Sequence, residues 1–218
     1  QGVAFAGTTA RTDAASSVYF NPAGIAGMQS MIEAGTHLLI PDQTVTGTQA
    51  IGLMTTAAQE PLSNSTIPNF YYVRPLESGV IGFGISAPFG SKNEYSDTFI
   101  GSLDAAKTKL KTVDYSFAYG RSLSEQVRAG LAVVYQTADI EQRKVVSSQL
   151  LGQATNSTAT LKGDSTALGL TIGMQFDLED GGTLGVAYKK ETTQEIAGTN
   201  TISANFNLPV AGVGAIPI

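Results

Sequence analysis

His37 is the only histidine among the 218 residues, and there is no cysteine. Nucleophilic catalysis needs a nucleophile with a base beside it, so a lone histidine reads as a structural residue or one facing an internal space. Gly163-Asp-Ser165 has the start of a hydrolase elbow, but Gly-x-Ser-x-Gly fails at Ala167 and no strand-to-helix turn follows. Gly79-Val-Ile-Gly82-Phe-Gly84 is not in the dinucleotide order and opens no helix. Asp177, Glu179 and Asp180 offer oxygen ligands for calcium, but Gly181-Gly182 closes them into a polar turn. Asn64-Ser-Thr and Asn156-Ser-Thr match glycosylation acceptors and read as loop residues. The net charge of −5 argues against a nucleic-acid partner, because phosphate neutralisation needs Lys and Arg. These residues point to no enzyme, no cofactor and no metal. What remains distinctive is Asp13-Ala-Ala-Ser-Ser-Val-Tyr-Phe-Asn21-Pro22-Ala23-Gly24, after the small-residue run Gly2-Val-Ala-Phe-Ala-Gly7. Asn-Pro by itself favours a turn.

The elements around that segment are strands. Charged residues are 14%, against about 25% in soluble domains. The longest uncharged runs, Ala14 to Ile32 and Ile196 to Ile218, carry Pro, Asn and Ser, so neither fits a spanning helix. That leaves a soluble β-protein rich in small polar residues, or a membrane barrel whose strands are half apolar.

Residues 1–30 show no sustained period and form a first unit, too poor in apolar surface to fold alone. From Met31 the pattern alternates as two-faced strands do. Ile32, Ala34, Thr36, Leu38 and Ile40 oppose Glu33, Gly35 and His37. Six further strands are predicted near 68–75, 79–87, 112–121, from 126, 165–177 and 183–193. Their second face is mostly Gly, Ala, Ser and Thr, which suits the interior of a partly filled barrel better than water. Tyr72, Tyr119, Tyr135, Phe176 and Tyr188 fall near strand ends, as in an interfacial girdle. The links alternate between short, near 76–78, 122–125 and 178–182, and long, about 41–66, 88–111 and 140–164. Short turns on one side and long loops on the other is the outer-membrane arrangement. An odd number of strands leaves open edges, which a bilayer does not tolerate. The expectation is therefore a fragment, with 31–218 as a partial barrel.

Gly2-Val-Ala-Phe-Ala-Gly7, Asp13-Ala-Ala-Ser-Ser and Phe20-Asn21-Pro22-Ala23-Gly24 together resemble the N-terminal plug of the long-chain fatty acid and aromatic hydrocarbon transporters of the FadL and TodX type. Gly82-Phe-Gly-Ile-Ser-Ala-Pro88-Phe-Gly90 with Glu94-Tyr95, and Ala129-Gly-Leu-Ala-Val-Val-Tyr135, are similar to the same family. The resemblance implies an all-β transmembrane antiparallel barrel, about seven of about 14 strands being present, with residues 1–30 as a hatch. It implies capture of a hydrophobic small molecule at extracellular loops, movement of the hatch, and lateral release into the outer membrane beside a kinked third strand. Phe20, Asn21, Pro22 and Ala23 then gate. Gly82 and Gly84 leave an inward gap, and Pro88 ends or bends the strand. Fatty-acid binders of the family place a basic residue after the fifth strand, and Arg143 or Lys144 lies near that place with the register open. The implied partners are a hydrophobic substrate and the bilayer, with the protein a monomer. The rival readings are a general porin-like channel and a β-rich surface adhesin. Full-length protein is expected to need detergent for extraction from membranes; recovery in aqueous buffer without detergent contradicts the membrane reading.

Overall fold

The computed structural model describes residues 5–47, 64–97, 99, 101–146, 157–203, 207–210 and 214–217. Period-2 alternation becomes one antiparallel sheet. Its strands are β1 (Met31–Leu39), β2 (Ser65–Leu76), β3 (Gly79–Ser86), β4 (Gly90–Glu94), β5 (Lys107–Ser122), β6 (Val127–Val146), β7 (Ser157–Asp177), β8 (Thr183–Lys189) and β9 (Ala197–Ser203). The path runs β1-β2-β3-β5-β6-β7-β8, with β4 beside β5 and β9 beside β7. The seven strands expected from alternation form this path. Asn207–Val210 (β10) and Gly214–Pro217 (β11) make a separate antiparallel pair. Among the described residues no helix is long and apolar enough to cross a membrane, as a strand-built membrane protein requires none.

Register aligns side chains into rows across the sheet. On one face Tyr119, Leu131 and Ile172 lie abreast, then Phe117, Val133 and Leu170, then Tyr115, Tyr135 and Leu168. Leu131, Val133 and Leu168 are exposed despite being large and apolar. On the other face Ala118, Ala132 and Thr171 lie abreast, and all three are buried. The apolar face is the outside and the small-residue face is the inside. From Val127 to Thr137, strand rise and a barrel-like tilt give an apolar band about 25 Å tall. That height matches a bilayer core crossed by strands.

The strands run well past this band. β7 has 21 residues, whereas about 10 tilted residues suffice to cross. The links expected at 88–111 and 140–164 are therefore partly strand: β4, the start of β5, the end of β6, the start of β7. The middle of the second link, 147–156, lies outside the described residues, as does most of 41–66. Short connections at 77–78, 123–126 and 178–182 sit at one end of the sheet.

Arg at residue 133 would place a charge near mid-bilayer on the outward face. Val133→Arg is expected to destabilise the folded protein in vesicles by about 2–4 kcal/mol. Lys109→Arg, beyond the band on the same face, is expected to leave stability unchanged. Denaturant unfolding of both variants in lipid vesicles checks this.

Candidate functional site

The N-terminal segment packs on the inner face of the sheet. It has three short turns of helix, Thr8–Ala10, Ser17–Phe20 and Pro22–Ile25. Many of its apolar residues are alanines, so it buries too little surface to form a core alone. Ala15, Val18, Ile25 and Met28 instead join Tyr71, Val73, Val80, Ala118 and Ala132 of the strands in one buried cluster.

Asn21 is fully buried and carries the polar part of this contact. Its Oδ1 accepts from the Ala23 amide at 3.1 Å and caps the Pro22–Ile25 turn. Pro22 suits the first position of that turn, where an N–H has no partner within it. The Asn21 Nδ2 donates to the Thr9 carbonyl at 2.7 Å, and to the carbonyls of Met174 on β7 and Val186 on β8 at 3.2 and 3.4 Å. One side chain thus ties the segment to itself and to two strands. Gln175, also fully buried, donates to the Thr9 and Arg11 carbonyls at 2.9 and 3.0 Å. Glu33 of β1 accepts from the Ser16 amide at 3.0 Å.

The close approach is possible because the wall has no side chains there. Gly120, Gly130 and Gly173 stand in register on β5, β6 and β7. A Cβ on Gly120 would lie 2.6 Å from the Pro22 oxygen, and one on Gly130 would overlap the Pro22–Ala23 peptide. A Cβ on Gly173 would overlap Asn21 Oδ1, and one on Gly185 of β8 would overlap the Thr9 carbonyl. Steric room, rather than backbone freedom, fixes glycine at these positions. Sequence reading noted the small inner face but not this ladder, because Gly120, Gly130 and Gly173 align only once register is known.

The remaining expected residues are distributed as follows. Phe20 packs its ring edge-on to Tyr19 and against Phe5. Pro22 and Ala23 are buried. Gly82 and Gly84 face inward, where Val18 and Ile25 of the segment occupy the space beside Gly82 and Val18 lies beside Gly84. Pro88 lies in the break Ala87–Phe89 between β3 and β4. Ser86 pairs with Asp114 and Gly90 with Lys111, so the broken strand has one residue more than its partner, a bulge. Phe89 is held through Thr112, whose amide and hydroxyl both donate to the Phe89 carbonyl at 3.0 and 2.8 Å. Beyond the break β4 pairs with β5, while residues 65–69 of β2 pair with β1. β2 and β4 therefore stand unjoined at this level. Arg143 lies apart from this group, on the outward face of β6 near its far end, paired with Asp97 at 3.0 Å.

A polar line that the sequence did not reveal rises inside the sheet above the segment. Lys189 places its ammonium 3.5 Å from the Tyr19 ring centre, a cation–π contact. Burial, and then the Asp114 carboxylate, push the Tyr19 phenol above its usual range, so the ring stays neutral. Gln136 donates to Asp114 at 2.6 Å, and Gln194 donates to Gln136 at 2.9 Å. Ser165 donates to Gln194. Among the described residues no cluster of His, Asp or Glu could hold a metal ion. The arrangement supports non-covalent binding and blocking.

The family model for outer membrane protein transport proteins (OMPP1/FadL/TodX) matches residues 1–215. The chain belongs to this family. It is 26% identical to a long-chain fatty acid transport protein of Escherichia coli O6:H1, over 98% of this chain and 55% of that protein. It is 22% identical to outer membrane protein P1 of Haemophilus influenzae, over 97% of this chain and 55% of that protein. The fold is shared with the toluene transporter TbuX of Ralstonia pickettii, at a TM-score of 0.66 and 15% identity, over 89% of this chain and 57% of that one. A FadL homologue of Pseudomonas aeruginosa gives 0.63 and 19%, over 85% and 49%. The chain thus spans about half the length of the relatives it matches. It is an outer-membrane protein of the β-barrel type, and its described strands are part of such a barrel.

Filling the ladder should unseat the segment. Gly130→Val is expected to loosen it by about 1–3 kcal/mol, the usual cost of overpacking. Trypsin cleavage after Arg11 in the full-length protein should then accelerate by at least about fivefold. Ala129→Val, on the opposite face, is expected to leave cleavage unchanged.

Proposed function

We propose that this chain supplies the hatch and part of the wall of a passive outer-membrane transporter for hydrophobic compounds. The observation that carries the reading is the seating of Asn21-Pro22-Ala23 on the glycine ladder. It gives a barrel-type sheet an inner block held by few, specific contacts. Residues 1–30 act as the hatch and residues 31–218 as wall. The hatch lies toward the short-turn end, which is the periplasmic end in such barrels. A substrate entering from the long-loop side meets the Lys189–Tyr19 pair above it.

Release is lateral in this reading. The bulge at Ala87–Phe89 and the unjoined β2 and β4 give a break in the wall. Gly82 and Gly84 lie on β3 just below it, and Val18 and Ile25 leave that space when the hatch moves. Of the relatives named above, one is a long-chain fatty acid transport protein and another a toluene transporter, and a substrate of either class fits this reading. A carboxylate group, where the substrate has one, meets Lys189 rather than Arg143, which points outward. Transport follows the substrate gradient, with no catalytic step, and one chain suffices.

Uptake of oleate and of toluene by cells carrying the full-length protein tests this. Removing the Asn21 amide leaves carbonyls of Thr9, Met174 and Val186 short of a donor, at a cost of about 1–3 kcal/mol. The double variant Asn21→Ala/Pro22→Ala is expected to leak small hydrophilic solutes and to lose normal uptake of the preferred substrate. Unchanged leak and unchanged uptake would reduce the motif to a simple turn.

A further inference from the structure

The outward face changes character abruptly above the Tyr115–Tyr135–Leu168 row. The next row is Val113, Thr137 and Thr166, and beyond it charged rows begin. Lys111, Asp139 and Asp164 lie abreast, followed by Lys92, Lys109, Glu141, Lys162 and Thr199. All have the parity of the lipid-facing residues, so these charges stand on the outside of the barrel. Lys109, Lys111, Asp139, Glu141, Lys162 and Asp164 line a groove of about 530 Å³ there. The long-strand end of such a barrel is extracellular. The groove therefore lies level with the headgroups of the outer leaflet.

Its charges are incompletely matched from within. Glu141 is taken up by Lys107 at 3.1 Å, with Lys162 further off at 3.9 Å. Lys109 and Lys111 form no ion pair among the described residues. Asp139 and Asp164 face each other directly across the strands, a like-charge pair that destabilises a sheet. Lys111 faces Asp139 and Lys109 faces Glu141 across the strands, but neither lysine closes to an ion pair, so the groove leaves lysines open to an anion and carboxylates open to a cation. A phosphate monoester accompanied by its divalent counterion supplies both. Lysines at a membrane surface each add attraction for anionic lipid.

We propose that this groove binds the phosphorylated headgroup of an outer-leaflet glycolipid, with Lys109, Lys111 and Lys162 on the phosphate and Asp139 and Asp164 facing its divalent counterion. The site is on the outside of the barrel and is independent of the hatch and the transported substrate.

The test uses full-length protein in phosphatidylcholine nanodiscs with magnesium. Bis-phosphorylated lipid A and its dephosphorylated form are titrated in, and bound lipid is read by native mass spectrometry. The parent is expected to retain the phosphorylated lipid at least about tenfold better. Lys109→Gln/Lys111→Gln/Lys162→Gln is expected to lose that preference while keeping its folded gel mobility. Lys144→Gln, which removes one such charge at similar height but on the inward face, is expected to keep it, whereas Lys111→Gln alone is expected to weaken it. Equal retention of both lipids by the parent overturns the proposal without any variant. So does full preference in the triple variant, or in Lys111→Gln if the triple fails to fold and Lys111→Gln shows no weakening. Displacement of the lipid by millimolar inorganic phosphate also overturns it, in favour of a free-anion site.

Discussion

Backbone-to-backbone approach between Pro22–Ala23 and the glycine ladder is the contact on which the rest of the structure depends. Peptide groups meet across Gly120, Gly130 and Gly173 with no side chain between them. That closeness brings Asn21 within reach of carbonyls on two strands. It also seats Val18 and Ile25 on the inner face. Burial of Val18, Ile25 and Met28 adds apolar stabilisation at roughly 25 cal/mol per Å². The segment's order rests on that burial, on fit, and on the hydrogen bonds of Asn21, Gln175 and Glu33.

The two faces of the sheet then divide the work. The outward face carries the branched and aromatic residues that lipid accepts, and gives way to charge at the headgroup level. The inward face carries small residues where the segment lies, and polar ones above it. Lys189 over Tyr19 and the Asp114–Gln136–Gln194 line belong to this second zone. Beyond the Ala87–Phe89 bulge β4 and β2 share no pairing. In the proposed function this break and the block are neighbours, since β3 carries Gly82 and ends at the bulge.

Much of this was legible in the sequence because lipid forces strict alternation. Phe117, Leu131, Val133 and Ile172 announce their strands and their faces without knowledge of neighbours. The strand ends were not legible. Beyond the bilayer both faces meet water, so Lys107–Lys111 and Asp139–Lys144 lose the apolar period although their ladders continue. The glycine ladder was hidden for another reason: Gly120, Gly130 and Gly173 are far apart in sequence and meet only through register. Lys189 was likewise indistinguishable from any lysine at a strand end until Tyr19 came beneath it. Asn21-Pro22-Ala23 stood out through resemblance, whereas its reason for being buried came from the carbonyls around it.

In the proposed function the seated segment must move for transport to occur. A background-free crosslink tests it, since the chain has no cysteine of its own. A Cβ at residue 84 would lie 3.2 Å from Val18 Cγ1, close to the cross-bridge spacing of a disulfide, once the Tyr71 ring at 2.8 Å gives way. Full-length Val18→Cys/Gly84→Cys should form that bond on oxidation. The account predicts that the oxidised protein stops taking up hydrophobic substrate and that reduction restores uptake. Undiminished uptake by the fully crosslinked protein would contradict it.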